Sequence, residues 1–438
     1  MGKRNYYIGS LILASIFFLQ SCVPVGSSSG TGSTSYYSNK ELKNEDKTYE
    51  NNIKTVLLYP SGGNVNDVFV APTVPLSQQK PLVLEFDEIN GKTNTYYSKI
   101  IHCNADWTRS SLPDIMFMYD YNDFLITTYS LSTATNTQYM HFKYTLPKVK
   151  LTGNYVVIVY RDGKEDDIVL SKRFIVYGQQ VNIAAKINFC NVTQLRETHQ
   201  QVDFSVGYGN LNITNPQDLY VVVRQNNRWD NAKMGIKPLY IKDYEKVLDF
   251  GMYDGSNAFA GGNEFRFFDT RSIITPGMNI NRIVLNPLNV KINEDRSRNF
   301  PAYSQNPDVN GSFVIGRRET NDGSIDGEYV PTTFSFKSKD YLYGKLYVTG
   351  AFSNWQLTPQ YQLEYDSTSN SYSKTLTLKQ GYYNYQYVLV DKNKPDEIQL
   401  EGSYYQTENN YEIIVYYRQL GAINDIIVGY QSLKSYYR

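Results

Sequence analysis

The sequence has few of the residues on which catalysis and metal binding usually depend. It contains only three histidines, His102, His141 and His199, and three cysteines in 438 residues. No Cys-x-x-Cys or His-Glu-x-x-His spacing and no Walker or dinucleotide-binding fingerprint occurs. The sequence therefore predicts a protein that is not an enzyme and that uses no metal or other cofactor.

The chain also lacks net charge, and after its first residues it lacks long hydrophobic runs. Lys and Arg together number 43, as do Asp and Glu, so the composition does not favour nucleic acid as a partner. The one long apolar run, Ile8 to Leu19, would reach only about 18 Å as a helix, too short for a bilayer core of about 30 Å. Its position after Lys3 and Arg4 is typical of an export signal, which we place at residues 1–21.

Leu19-Gln-Ser-Cys22 closes this run and resembles a lipoprotein box, in which the cysteine is lipidated and becomes the mature amino terminus. Cleavage nearby, leaving Cys22 unmodified, is the alternative. Residues 22–53 are rich in Ser, Gly, Asn and Lys and are expected to form a flexible tether, because they hold too little apolar surface to fold.

Aromatic residues are abundant, with 41 Tyr and 20 Phe, and these side chains favour pleated, half-buried strands. Short alternating or apolar runs separated by turn residues recur along the chain, and no helix of about ten residues is predicted. We expect an all-β protein made of tandem immunoglobulin-like β-sandwiches at residues 54–178, 179–330 and 331–438, the second with long loops.

A strand predicted at Tyr96–His102 places two reactive residue types side by side. His102 and Cys103 are adjacent, so they point to opposite faces of a strand and cannot act together as base and nucleophile. A hydrolase would need His102 or His141 beside a nucleophile from elsewhere in the fold. Cys103 and Cys190 lie in different predicted sandwiches, so we expect free buried thiols, with a disulfide across the boundary as the alternative.

The third predicted sandwich contains Gly350-Ala-Phe-Ser-Asn-Trp355, followed by Tyr372–Leu378 and Gly381–Tyr387. This order resembles a glycogen-binding-type module of the early-set immunoglobulin-like class. The resemblance implies a possible glycan platform at Asn354 and Trp355, and hence a second hypothesis, a glycan-binding outer-membrane lipoprotein. Packing of Trp355 in or near its own sandwich is the alternative.

Five blocks in order resemble the type IX secretion system plug protein family of the Bacteroidota: Ile101-His-Cys-Asn-Ala-Asp-Trp107, Asn136-Thr-Gln-Tyr139, Leu151-Thr-Gly-Asn-Tyr155, Gln225-Asn-Asn-Arg-Trp-Asp230 and Gly261-Gly-Asn-Glu-Phe-Arg-Phe-Phe-Asp269. The resemblance implies a subunit that occludes the periplasmic opening of the outer-membrane translocon β-barrel when it is free of substrate. The lipoprotein box, and the lack of an acidic run just after Cys22 of the kind that directs some lipoproteins to the cell surface, favour a lipid-anchored position on the periplasmic face of the outer membrane. No small-molecule substrate is expected.

Several residues of these blocks belong to types that are enriched at protein interfaces, Trp and Arg above all. The predicted contacts with the barrel are Trp107, Arg228, Trp229, Asp230, Arg266 and Phe268. The alternative is that the same side chains stabilise the fold.

Overall fold

β-Strands dominate the part of the chain that the computed structural model describes, residues 40–77, 80–89, 94–320 and 323–435. The predicted signal peptide, Cys22 and most of the tether lie outside these residues. The described α-helices are single turns: α1 (Asp114–Phe117), α2 (Gly323–Asp326) and α3 (Ile398–Glu401). Five 3₁₀ turns span Val65–Phe69, Thr193–Leu195, Pro216–Asp218, Ala351–Ser353 and Pro359–Tyr361. No described helix has the length and hydrophobicity to cross a bilayer, and the all-β prediction is confirmed.

The first sandwich contains ten strands in two sheets. These are β1 (Lys47–Thr48), β2 (Ile53–Pro60), β3 (Thr73–Pro75), β4 (Leu82–Ile89), β5 (Tyr96–Cys103), β6 (Phe124–Leu125), β7 (Tyr129–Leu131), β8 (Tyr139–Thr145), β9 (Gly153–Arg161) and β10 (Ile168–Tyr177). One sheet has the order β1-β10-β9-β5-β6, with β3 also beside β10, and the other has the order β2-β4-β8-β7. A core that includes Phe86, Tyr96 and Phe142 fills the space between them.

The chain then begins a second sandwich. Its strands are β11 (Asn182–Phe189), β12 (His199–Gly207), β13 (Leu219–Gln225), β14 (Lys233–Ile236), β15 (Tyr240–Lys242), β16 (Val247–Asp249) and β17 (Ala258–Ala260). One sheet has the order β11-β12-β16-β15, with β17 also beside β12. The facing sheet contains β14 and β13 and is completed only by the last strands of the chain.

The third sandwich is inserted in the sequence between β17 and the two last strands, which complete the second sandwich. It contains β18 (Arg266–Asp269), β19 (Ile280–Leu285), β20 (Leu288–Ile292), β21 (Phe313–Ile315), β22 (Tyr329–Lys337), β23 (Lys345–Thr349), β24 (Glu364–Asp366), β25 (Ser371–Lys379), β26 (Gly381–Asp391) and β27 (Lys394–Asp396). β26 pairs with β18, β21, β23 and β27, and the opposite sheet has the order β19-β20-β22-β25-β24.

The last two strands, β28 (Asn410–Tyr417) and β29 (Ile426–Lys434), return to the second sandwich. β28 pairs with β13 from Leu219↔Tyr417 to Gln225↔Tyr411 and also with β29. The structure therefore differs from the predicted limits at this point. Residues 410–434, expected in the third sandwich, belong to the second, and the strands β18 to β21, expected in the second, belong to the third.

The first two sandwiches pack sheet against sheet through a mostly apolar contact. In β9, Val157 and Val159 face the core of the first sandwich, while Val156 and Ile158 face outward, where Ile414 lies. In β28, Ile413 and Val415 face the core of the second sandwich, while Ile414 faces the first sandwich. Side chains alternate between the two faces of a strand, so a strand buried on both faces is apolar over most of its length. Residues 155–160, Tyr-Val-Val-Ile-Val-Tyr, follow this rule.

We expect replacement of Ile414 with Ala to destabilise the protein by about 2–5 kcal/mol, because it removes fully buried methyl groups from this contact and leaves a cavity. Chemical denaturation followed by tryptophan fluorescence measures the effect. Ile274→Ala is the matched control, since Ile274 is 73% exposed and its loss should change stability by no more than about 0.5 kcal/mol. Equal, small effects of the two variants would contradict the described packing.

Candidate functional site

The three tryptophans of the sequence come together where the three sandwiches meet. Trp107 follows β5, Trp229 follows β13, and Trp355 follows the 3₁₀ turn Ala351–Ser353. The rings of Trp107 and Trp229 meet edge to face, with centroids 4.7 Å apart. Trp107 and Trp355 both have left-handed backbone conformations, with φ of 66° and 61°, which only a well-packed surrounding structure maintains in a bulky residue.

Guanidinium groups lie over these indole rings. Arg173 lies 4.6 Å from the centroid of Trp107, and Arg224 lies 4.4 Å from that of Trp229. Arg228 lies 4.2 Å from the centroid of Trp355. Stacked cation–π contacts of this kind strengthen when they are shielded from water, so they favour one fixed arrangement of the three sandwiches.

Two of these arginines are also ion-paired. Arg224 and Glu412 lie opposite each other on β13 and β28, and two hydrogen bonds of 2.6 and 3.0 Å join them. Arg228 donates to Glu397 of the third sandwich at 2.8 Å and to Asp230 at 3.1 Å. Burial alone would lower the pKa of Arg228, but the carboxylates of Glu397 and Asp230 raise it, so this guanidinium stays charged.

A cleft of about 510 Å³ opens at the same junction. Trp229, Trp355, Arg173 and Asp230 contribute to its lining, together with backbone and side chains from all three sandwiches. The cleft therefore lies between sandwiches and is formed only when all three are in place.

Four of the six predicted barrel contacts lie inside the molecule. Trp107, Arg228, Arg266 and Phe268 are all buried. Phe268 is in the core of the third sandwich. In this structure these four side chains are not available to a partner, and their contacts match the alternative, stabilisation of the fold. Of the six, Asp230 is exposed and Trp229 is half-buried.

Arg266 illustrates what the buried charges do. Its guanidinium bonds Glu401 through Nε at 3.0 Å and Asp295 through Nη1 at 2.7 Å, and the Tyr385 hydroxyl donates to the same Asp295 carboxylate. Every group is thus paired, as buried charges require. This cluster fixes the α3 turn, which carries Glu401, onto β18 and β26.

The predicted glycan platform also makes contacts within the protein. Arg228 covers one face of the Trp355 ring, and Gly311, with φ of 80°, approaches its edge so closely that any Cβ there would clash. The amide oxygen of Asn354 accepts a hydrogen bond of 3.1 Å from Lys172 of the first sandwich. A sugar therefore has at most one face of this ring available.

Neither histidine considered for hydrolysis lines a described cleft. His102 is buried beside Phe117 and Tyr155, its Nδ1 lies 2.9 Å from Ser110 Oγ, and burial lowers its pKa to about 4. Cys103 and Cys190 are both free and buried, and burial raises the pKa of the Cys103 thiol to about 12. A neutral histidine and a protonated thiol in apolar surroundings are poorly suited to nucleophilic chemistry.

Sequence reasoning missed a charged cluster between the first and third sandwiches. Asp87 is fully buried on β4 and accepts hydrogen bonds from Lys379 at 2.6 Å and from the Tyr329 hydroxyl at 2.7 Å. Its other oxygen lies 2.7 Å from His141 Nδ1. The signal in the sequence was the group of acidic residues in β4, Glu85, Asp87 and Glu88, since an acid on a buried strand face needs a partner.

A group of carboxylates lies where the second sandwich meets the third. The carboxyl of Glu264 hydrogen-bonds that of Asp308, accepts from the hydroxyl of Tyr303, and also accepts from the backbone amide of Glu408 at 3.2 Å. Burial, together with the charges of Glu264 and Glu408, raises the pKa of Asp308 to about 7, and burial raises that of Glu264 as well. A carboxyl with a pKa near 7 is partly protonated at neutral pH, so the charge of this junction changes with pH around neutrality.

The first sandwich also carries an exposed apolar surface, which we name the apolar edge. Its residues are Ile115, Met116, Tyr119, Tyr121, Leu125, Tyr129 and Leu131. β6 and β7 are the terminal strands of the two sheets, and only residues 126–128 separate them in sequence, so the apolar edge follows one open side of the sandwich.

Comparison with known proteins identifies the chain's relatives. Residues 53–178 match the family described as type 9 secretion system plug protein, 1st domain. A crystal structure of a hypothetical protein from Parabacteroides merdae is similar over 90% of this chain and 100% of its own length, with 31% sequence identity and a TM-score of 0.84. The chain belongs to the type IX secretion system plug protein family. No functionally curated protein is similar enough in sequence to match.

Membership of this family gives the chain a role in type IX secretion. The family is a component of a secretion system and not a family of enzymes, and it associates with a system of the cell envelope. The matched residues coincide with the first sandwich, which carries the apolar edge and contributes Trp107 and Arg173 to the junction.

We expect Glu412→Ala to destabilise the protein by about 3–5 kcal/mol, because it leaves the buried guanidinium of Arg224 without its carboxylate. Urea denaturation measures the loss. The control is Arg418→Ala, which breaks the exposed Arg418–Asp425 pair and should cost no more than about 1 kcal/mol. A similar small loss in both variants would show that the junction pair contributes no more than a surface pair.

The carboxyl pair predicts a pH dependence of stability. Because the folded-state pKa of Asp308 is about 7, above the unfolded value of about 3.9, its contribution is fully present below pH of about 4 and is lost as the pH rises through 7. Asp308→Asn lacks this titration, so the stability of the wild type relative to this variant should fall between pH 5 and pH 7. The comparison is needed because other groups titrate in the same range in both proteins; the lowered pKa of His102 acts in the opposite direction. Asp120→Asn, at an exposed position, is the control and should retain the wild-type profile. A difference between wild type and Asp308→Asn that stays constant over this range would refute the assignment.

Proposed function

We propose that this protein is a non-enzymatic plug that occludes the periplasmic opening of the outer-membrane translocon barrel of the type IX secretion system when the barrel holds no substrate. The mechanism is steric. The observation that carries the proposal, beyond membership of the family, is that three sandwiches are joined into one body by contacts buried at every junction. A body that blocks a wide opening must keep its shape under thermal motion.

Different interactions supply this rigidity at each junction. An apolar sheet-on-sheet contact joins the first and second sandwiches, where Tyr416 also donates to Asn154 at 2.9 Å. Asp87 and Lys379 join the first and third, and Arg228 and Glu397 join the second and third. Relative motion of any two sandwiches would expose apolar surface or separate buried charges, and both are costly.

Residues 40–53, which were expected to be part of the flexible tether, are instead attached to the first sandwich. Lys40 donates to Asp167 at 2.7 Å and also binds Glu50, and Arg161 bonds both of these carboxylates. We propose that lipidation of Cys22 anchors the chain to the periplasmic face of the outer membrane. An anchor raises the effective concentration of the plug at the barrel, so a reversible contact is enough to keep the opening closed.

The test is a pull-down of the tagged full chain from outer membranes of its native host in mild detergent, with mass spectrometry of the recovered proteins. We expect a very large β-barrel translocon subunit in near-equal amount. The control is a fusion of residues 1–53 to an unrelated folded protein, which shares the anchor and tether but not the sandwiches. Recovery of the barrel with neither protein, or with both equally, would overturn the proposal.

A further inference from the structure

We propose that the apolar edge of the first sandwich is the surface that docks on the translocon, against a protein wall that is apolar and bordered by basic residues. This inference rests on the proposed function and names the contact through which it would operate. It differs from the sequence-based choice of contact residues, most of which are buried.

Exposed apolar side chains are concentrated in the apolar edge. Among the described residues, 22 large hydrophobic side chains are exposed, and seven of them lie between residues 115 and 131. Ile115 is 77% exposed and Tyr121 is 86% exposed. Single exposed apolar residues are common on protein surfaces, but a contiguous group of them marks a binding surface.

The side chains of the apolar edge are exposed on a fixed backbone. The side chain of Asn122 is buried; it accepts from the amide of Ile100 at 2.9 Å and donates to the carbonyl of the same residue at 2.7 Å. Lys150 donates its backbone amide to Phe117 and its ammonium group to the carbonyl of Ile115. The segment therefore cannot turn its apolar groups inward, and a partner would meet a preformed surface, which lowers the entropic cost of binding.

The charges around the apolar edge indicate what kind of partner it fits. Residues 114–131 contain three acidic residues, Asp114, Asp120 and Asp123, and no Lys or Arg. The nearby Lys150 lies over the ring of Tyr119. Acidic side chains are repelled by the anionic lipids of a membrane surface. A second copy of the chain, paired about a two-fold axis, would bring the same acidic rim onto itself. An apolar protein surface bordered by basic residues complements both the apolar edge and its acidic rim.

The strands along this side disfavour docking by strand addition. β6 has two residues and β7 has three, so each offers only a short row of unpaired backbone groups. The contact should therefore be made by side chains, among which Tyr is enriched at the centres of interfaces.

The experiment compares two fourfold variants in the full-length tagged chain. The edge variant replaces Ile115, Met116, Tyr119 and Tyr121 with Ser. The control replaces Ile274, Met278, Tyr244 and Tyr253 with Ser, which removes the same residue types from similarly exposed positions in the other two sandwiches. All eight positions are exposed, so both variants should retain the wild-type circular dichroism spectrum and thermal midpoint.

We expect the edge variant to recover the barrel at least about tenfold less than wild type, while the control stays within about twofold, because a few central residues dominate most interfaces. If the wild-type chain recovers the barrel and the edge variant recovers it equally well, this inference is overturned and the proposed function stands. If the wild-type chain recovers no barrel, the proposed function fails, and this inference with it.

Two further measurements test the other occupants. Wild-type protein lacking residues 1–22 should not sediment with vesicles of anionic phospholipid; sedimentation that the edge variant abolishes would identify a membrane surface and overturn the proposal. Light scattering should give the mass of one chain. A dimer that the edge variant converts to a monomer would instead assign the surface to a second copy.

Discussion

The rest of the structure depends on one contact, the sheet-on-sheet packing of the first and second sandwiches. β9 and β28 are the middle strands of this contact, and each is buried on both faces. The faces that meet are mostly apolar, and the charged residues Arg224 and Glu412 among them are paired with each other. The two sandwiches must therefore stay together once folded, because separating them would expose these side chains to water. Burying a large apolar side chain contributes about 1.5–3 kcal/mol, so this contact is a stable base for the third sandwich.

The third sandwich is attached to the first two by a different kind of interaction. Its junctions rely on paired charges, such as Lys379 with Asp87 and Arg228 with Glu397. Buried ion pairs add little net stability, because desolvation offsets their attraction, but a misplaced partner leaves a charge buried alone. Such pairs therefore define one orientation. The insertion of this sandwich between β17 and β28, two strands of the second, constrains it further, since both of its chain ends are fixed on the same neighbour.

The residues that resemble catalytic or ligand-binding groups are used in packing: His102 lies in the core of the first sandwich, and Trp355 carries a guanidinium on one face. Rigidity at the junctions leaves the outer surface free for recognition. The apolar edge is the part of that surface where the exposed side chains, the fixed backbone and the matched family domain coincide.

The sequence by itself determined the all-β class, since its aromatic residues and short alternating runs fit strands and nothing else. It also determined the family, because five short blocks appear in order. Only the tertiary structure decided that β28 and β29 complete the second sandwich, since Leu219 and Tyr417 pair across nearly the whole second half of the chain and a strand carries no local record of its partner. The same holds for the predicted contact residues. An exposed anchor for another protein and a buried anchor between two sandwiches need the same indole and guanidinium chemistry, so Trp107 and Arg228 look alike in both roles until the neighbouring sandwich is in place.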